Sequence, residues 1–244
     1  MARPTKTQAV VLRSLRFGDA DRILHLYTLG QGRIGAIAKG VRKTKSRFGA
    51  RLEPLSHVEL MLHRGSGELH TVTGVELVRS HHETREDPYR LGVALVGAEA
   101  MLRLFGEPEA NDRAFEAVTR FLDLTDRLET RPGRPAHDPL AISFQLKLLW
   151  LSGYLPHLES CAECGEMEGL VGYSPQAGGA VCESCANGAR RLGASTFAAI
   201  EGLLRRPLAE ARAVPVGELE AREALGLITA SYEFHGGFRL RTLS

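Results

Sequence analysis

The chain has 244 residues, enough for one large domain or two to three smaller ones, and its 43% hydrophobic content is that of an ordinary soluble globular fold. Met1-Ala2-Arg3-Pro4 opens a polar segment and no run of 18 apolar residues follows anywhere, which argues against a leader or a membrane span and predicts a cytoplasmic protein. A net charge of only +2 hides an asymmetry: residues 1 to 80 hold fourteen Lys and Arg against six Asp and Glu, and the remaining 164 hold seventeen against twenty-three.

In chain order, the first elements read as strands. Gln8 to Phe17, Ile23 to Leu29, Arg33 to Ala38, His57 to His63 and Leu69 to Leu77 alternate apolar with polar positions, the period of a half-buried strand. Gly18-Asp19, Gly30-Gln31-Gly32 and Arg64 to Glu68 separate them with the residues that tight reversals need. Five short strands with such turns predict a small barrel, of the OB or SH3-like kind; the OB-fold is the one habitually used on single-stranded nucleic acid. Gly30-Gln31-Gly32-Arg33-Ile34-Gly35 also matches G-x-G-x-x-G, but a dinucleotide site needs a helix next, and Ala36 to Lys39 continues as a strand until Gly40, so the glycines are read as a hairpin turn.

From Arg33 to Arg51 the barrel segment carries Arg33, Lys39, Arg42, Lys43, Lys45, Arg47 and Arg51 with no acidic residue. Such a run is usually a solvated face; here it is uncompensated, lies in the predicted barrel, and contains Gly40, Ser46 and Gly49, which suit a loop that follows a phosphate chain. Together with Arg13 and Arg16 it is the candidate nucleic-acid surface. Phe17 and Phe48 offer stacking faces, although each reads first as core, and His25, His57, His63 and His70 as ordinary barrel residues; Asp21-Arg22 reads as a local ion pair.

After Pro88 the period becomes helical. Tyr89 to Phe105 places Leu91, Leu95, Ala98, Leu102 and Phe105 on one face; Arg113 to Leu128 does so with Phe115, Val118, Leu122 and Thr125, and Leu140 to Leu151 with Leu140, Phe144, Leu148 and Leu151. Trp150 reads as core, and residues 129 to 139, with three prolines and a glycine, as a loop. Two more helices follow, Thr196 to Arg205 with Ser195 as N-cap, and Glu218 to Phe234 presenting Ala221, Leu225, Ile228 and Tyr232.

All four cysteines fall between these helices, as Cys161-Ala-Glu-Cys164, seventeen residues, and Cys182-Glu-Ser-Cys185. Two CxxC knuckles at this separation match a four-cysteine zinc pattern, each supplying two thiolates to one tetrahedron. A thioredoxin-like pair would explain only one knuckle; an iron-sulfur cluster would also accept four thiolates. Four protein ligands leave no position for water, so the expected Zn²⁺ is structural and the predicted catalytic residues are none. No GxSxG, P-loop or HExxH occurs, which points away from the common hydrolase and nucleotide-dependent enzymes. The resulting fold class is α+β: a five-stranded barrel over 1–80, then an all-helical domain over 81–244 with a zinc module inserted at 157–189.

Thr7-Gln8-Ala9-Val10-Val11-Leu12-Arg13-Ser14, Gly18-Asp19-Ala20-Asp21-Arg22-Ile23-Leu24, Gly35 to Lys43 and Lys45-Ser46-Arg47, in that order, resemble the RecO family of bacterial DNA-repair proteins. The likeness extends over nearly the whole chain through the helical region interrupted by paired knuckles. It implies an N-terminal OB-fold, and a recombination mediator that binds single- and double-stranded DNA, anneals complementary strands, joins RecR, and helps load RecA onto strands coated by single-stranded-DNA-binding protein, in association with the nucleoid. The alternative left by charge and barrel alone is an RNA- or ribosome-associated OB protein.

Overall fold

The structure, a computed structural model, describes residues 4–46, 48–65, 67–106 and 108–243, and divides into two compact units: residues up to 94 with 101–128, and 95–100 with 129 onward. The first unit is built on β1 (Thr5–Phe17), β2 (Asp21–Thr28), β3 (Gly32–Ala38), β4 (His57–Arg64) and β5 (His70–Arg79). These close in the order β1-β2-β3-β5-β4, with β3 and β5 parallel at Ala36–His70 and every other pair antiparallel. This is the expected OB-type barrel, filled by Ala9, Val11, Leu24, Leu26, Ile34, Ala36, Val58, Leu60, Leu62 and Val72. Phe48 seals it from the loop between β3 and β4, as its core reading required, at 2% exposure.

A β-bulge at Leu12 decides which side chains face outward. Val11 pairs with Leu26, but the next pairs are Arg13 with His25 and Ser14 with Leu24. Directly paired residues share a face, so the inward set changes from Ala9 and Val11 to Ser14 and Arg16. Phe17 therefore points out and is 50% exposed, which corrects its reading as core. The Gly30-Gln31-Gly32 segment is the β2–β3 turn, with φ +84° at Gly30 and +65° at Gly32. A side chain at Gly32 would also meet the Glu109 carbonyl oxygen at 2.1 Å, so glycine is obligatory there on two counts.

Helices α1 (His82–Glu86), α2 (Pro88–Leu104) and α3 (Asp112–Thr125) follow. Asp87 caps α2 by accepting from the Tyr89 and Arg90 N–H groups, with Pro88 in the first turn, and Asn111 caps α3. The barrel packs against α3 and the end of α2: the Tyr27 ring meets Phe105 edge-on at 5.8 Å, His57 meets Phe115 at 5.6 Å, and the Gly30 N–H donates to Asp112. His81 bridges the Leu55 carbonyl and Asp123 through its two ring nitrogens, at 2.7 and 2.9 Å. The first compact unit thus runs past the change of period at residue 80.

In the second unit α4 (Pro139–Leu151), α5 (Ala194–Arg205) and α6 (Glu218–Gly236) pack around α4, which is buried on nearly every side from Leu140 to Leu149 rather than on one stripe. Its polar side chains are accordingly bonded: Gln145 accepts from the Tyr232 hydroxyl and donates to the Val96 carbonyl, Ser143 donates to the Leu203 carbonyl, and Lys147 closes the end of α5 on the Leu203 and Leu204 carbonyls. Asp138, with no exposed side-chain surface, caps α4 at Leu140 and pairs with Arg212. Three expectations are corrected here. Trp150 is 56% exposed, because it ends a helix whose other sides are already covered. Leu95, assigned to the buried face of α2, is 40% exposed while Val93, Ala94, Val96 and Ala98 are buried. Gly193, not Ser195, is the N-cap of α5, and the Ser195 hydroxyl bonds to Glu220 within the structure.

Candidate nucleic-acid interface and metal centre

On the outer face of the barrel the cross-strand rows are Arg13–His25–Gly35, Leu15–Ile23–Ile37 and Phe17–Asp21. One end of this face is covered, since Tyr27 is buried against Phe105. The other end is open, and there Leu15, Phe17 and Leu69 are exposed together, with Leu69 lying directly over Gly35. Phe17 is the aromatic ring among them and offers a face on which a base can stack, with the leucines adding exposed apolar surface on the same partly basic face.

The basic loop is fastened beside that apolar end. After β3 the chain turns at Gly40, φ +66°, whose N–H donates to the Asp21 carboxylate at 2.7 Å. Arg42 donates its backbone N–H to the Ala20 carbonyl and its guanidinium to the carbonyls of Gly18 and Asp19. Asp21 is thus a loop anchor, and Arg22 pairs with Glu53 at 3.3 Å, which corrects the local Asp21-Arg22 ion pair. These bonds place Arg42, between exposed Lys39, Lys43 and Lys45, next to the β1–β2 turn that carries Phe17. The loop folds through backbone bonds, so most of its charge is free for a ligand.

The remaining basic candidates separate. Arg13 stands exposed on the outer face, where it and Arg33, after desolvation, help hold the His25 imidazole below its ordinary pKa. Arg33 itself donates to the Gly106 and Leu102 carbonyls at 2.9 and 3.3 Å, a structural use of that side chain. Arg16 falls on the other face, paired across the ladder with Arg22. Arg51 sits on a 3-10 turn (Gly49–Leu52), with its guanidinium on the Phe48 carbonyl, and Arg47 lies outside the described residues. Sequence reasoning missed Leu15 and Leu69 as surface residues. The bulge that exposes Leu15 leaves no mark in a period-2 pattern.

In the second unit Cys161, Cys164, Cys182 and Cys185 come together with all four sulfurs within 4.8 Å of one another. A tetrahedron with Zn–S bonds of about 2.3 Å has S–S edges of about 3.8 Å, and the Cys164–Cys182 pair stands at 3.7 Å. The knuckles are held by β6 (Leu170–Ser174), β7 (Gly179–Cys182) and β8 (Arg190–Arg191), a three-stranded sheet in the order β7-β6-β8. Its own core is small: Val181 and Ala186 with two of the cysteines, flanked by Leu170 and Val171. Backbone N–H groups of Cys164 and then Cys182 draw the Cys161 thiol down to about 6, whereas Cys185 is pushed up to about 12, chiefly by the Cys164 thiol beside it. Four sulfurs this close cannot all ionise without a cation, and the donor set fits one metal ion with every coordination position taken by protein. Tyr173 on β6 ties the module to α6 through a 2.8 Å bond to Ser231.

No helix among the described residues is long and apolar enough to cross a membrane. Residues 1–81 match the family model described as Recombination protein O N terminal, and residues 85–244 match Recombination protein O C terminal. Among similar proteins, a DNA repair protein RecO from Rubrobacter xylanophilus is 40% identical over 222 residues, 90% of this chain and 85% of the relative. DNA repair protein RecO from Anaeromyxobacter sp. strain K is 35% identical across 96% of this chain and 92% of its own, and that from Thermobifida fusca 35% across 94% and 93%.

Proposed function

The chain belongs to the RecO family of DNA repair proteins, and from that premise we propose that it is a non-enzymatic recombination mediator that binds DNA through the open outer face of its barrel. The observation that carries this reading is the docking of the Lys39–Lys45 loop beside exposed Phe17 and Leu15, which sets a row of cations along an apolar shelf. A single strand would lay its phosphates along Lys39, Arg42, Lys43, Lys45 and Arg13 and its bases on the shelf; a duplex would use the cations alone. Arg16, on the other face, Arg33, bonded to the Gly106 and Leu102 carbonyls, and Arg51, on the Phe48 carbonyl, are left out of this surface, and Arg47 lies outside the described residues.

Screening of phosphate charge would let two complementary strands approach, which is what annealing requires. The partners in this reading are RecR, single-stranded-DNA-binding protein and, indirectly, RecA, as the resemblance implies, with the action directed at protein-coated single strands near the nucleoid. Zn²⁺ held by Cys161, Cys164, Cys182 and Cys185 would act as a structural ion that makes up for the small core of the module.

The test is fluorescence anisotropy with a labelled single strand over a salt series. If about five phosphates are neutralised, the log-log slope is about −3.5, and replacing Lys39, Arg42 and Lys43 with alanine flattens it by about 2. Equal slopes for the two proteins would remove this surface from consideration. Competition between matched DNA and RNA strands separates the DNA reading from an RNA one: preference for RNA would overturn it.

A further inference from the structure

The second unit has an open cavity of about 270 Å³ whose polar lining is mostly arginine: Arg134, Arg190, Arg222 and Arg239, with His137 and Thr229. The arginines come from four separate segments: the loop before α4, strand β8, helix α6, and the chain after α6. Two of these side chains are already partnered, Arg239 by Glu233 and His137 by Glu218. For the side chains of Arg134, Arg190 and Arg222 the described residues provide no hydrogen bond and no ion pair. Three uncompensated guanidinium groups on one cavity stand out in a region that is acidic as a whole, seventeen basic residues against twenty-three acidic ones over 81–244.

Helix α6 is also shaped for one of them. A Cβ at Gly226 would lie 2.9 Å from Arg190 Nη1 and 3.3 Å from its Cζ, so the guanidinium occupies the gap left by a missing side chain. Glycine inside a helix is a destabilising choice, and here it clears the space that seats Arg190 against the cavity wall. Guanidinium groups stay charged at all physiological pH and match phosphate oxygens with paired donors. Leu225, Leu240 and Leu243 supply an apolar wall beside them, suited to a sugar or base edge attached to that phosphate.

We propose that this cavity is a second nucleic-acid site, which takes the phosphodiester backbone of a strand independently of the barrel face. The inference rests on the DNA-binding reading above and adds a location that the barrel surface does not supply. An open cavity favours a chain passing through over a small ligand enclosed on all sides.

The experiment uses the full chain in three forms: Arg134→Ala/Arg190→Ala/Arg222→Ala, the Lys39→Ala/Arg42→Ala/Lys43→Ala variant, and the two combined. Each is titrated with a labelled short single strand at low salt, with thermal melts to confirm folding. The cavity variant is expected to lose at least about tenfold in affinity for one of two bound strands, with a flatter salt slope, and the combined variant to lose both. Gly226→Ala, which keeps every charge but displaces Arg190, is expected to weaken the same strand to a smaller extent. Oligonucleotide binding unchanged by the cavity variant, in the wild-type and in the barrel-variant background, would overturn the inference and leave the barrel reading standing. Loss through the cavity variant alone would support the inference and sink the barrel reading. If pyrophosphate or a nucleoside triphosphate occupies the cavity and no strand does, or if an acidic peptide is the ligand that the variant loses, the strand assignment is wrong.

Discussion

The barrel and the knuckle-bearing helical unit use their charged residues in opposite ways. On the barrel, Lys39, Lys43 and Lys45 are exposed on a loop whose shape comes from backbone bonds and from Asp21. In the helical unit the polar groups at the centre are consumed by the fold: Asp138 by the α4 cap and Arg212, Gln145 by Tyr232 and Val96, and Lys147 by the end of α5, with burial drawing the Lys147 pKa down. Removing a charge from the first region should cost binding and leave stability intact. Removing one of these central, bonded groups from the second should do the reverse.

The sharpest way to break this contrast is at the cysteines. Replacement of Cys161 with serine, or chelation, would remove the proposed metal, and such binding in small zinc modules is on the order of 10 kcal/mol of folding free energy. Hydrogen exchange should show the segment from Cys161 to Arg191 losing protection, while single-strand binding through the barrel persists. Asp138→Ala comes next. It strands Arg212 and uncaps α4, and should lower stability by about 3–5 kcal/mol in denaturant titrations with little change in DNA affinity. Phe17→Ala is the smallest effect and the most selective. It should weaken single-strand binding by about 1–3 kcal/mol and leave duplex binding and the melting temperature nearly unchanged. An equal loss on duplex would show that the ring does not stack on bases.

The parts of the molecule that were legible in the sequence are those whose signals are local. The barrel strands alternate and end in glycine turns, and each CxxC knuckle is a four-residue device, so the five strands and the four-sulfur cluster could be read directly. The side of β1 on which Phe17 lies could not, because one unpaired residue at Leu12 reverses the alternation and depends on pairing with a strand elsewhere in the chain. Helix α4 misled for a related reason: a helix covered on nearly all sides has no stripe, and periodicity then says nothing of Trp150. Which cations are free is also a tertiary matter. Arg33 and Lys43 look alike in sequence as members of one basic run, yet the Arg33 guanidinium spans two carbonyls at the end of α2 while Lys43 stands exposed on the loop.

Amide hydrogen exchange of the full chain, with and without a saturating single-stranded oligonucleotide, tests the central claim most directly. The account predicts its largest protection at residues 17–21 and 39–46, where the β1–β2 turn and the basic loop meet. A saturated complex in which both segments exchange as fast as in the free protein would contradict it.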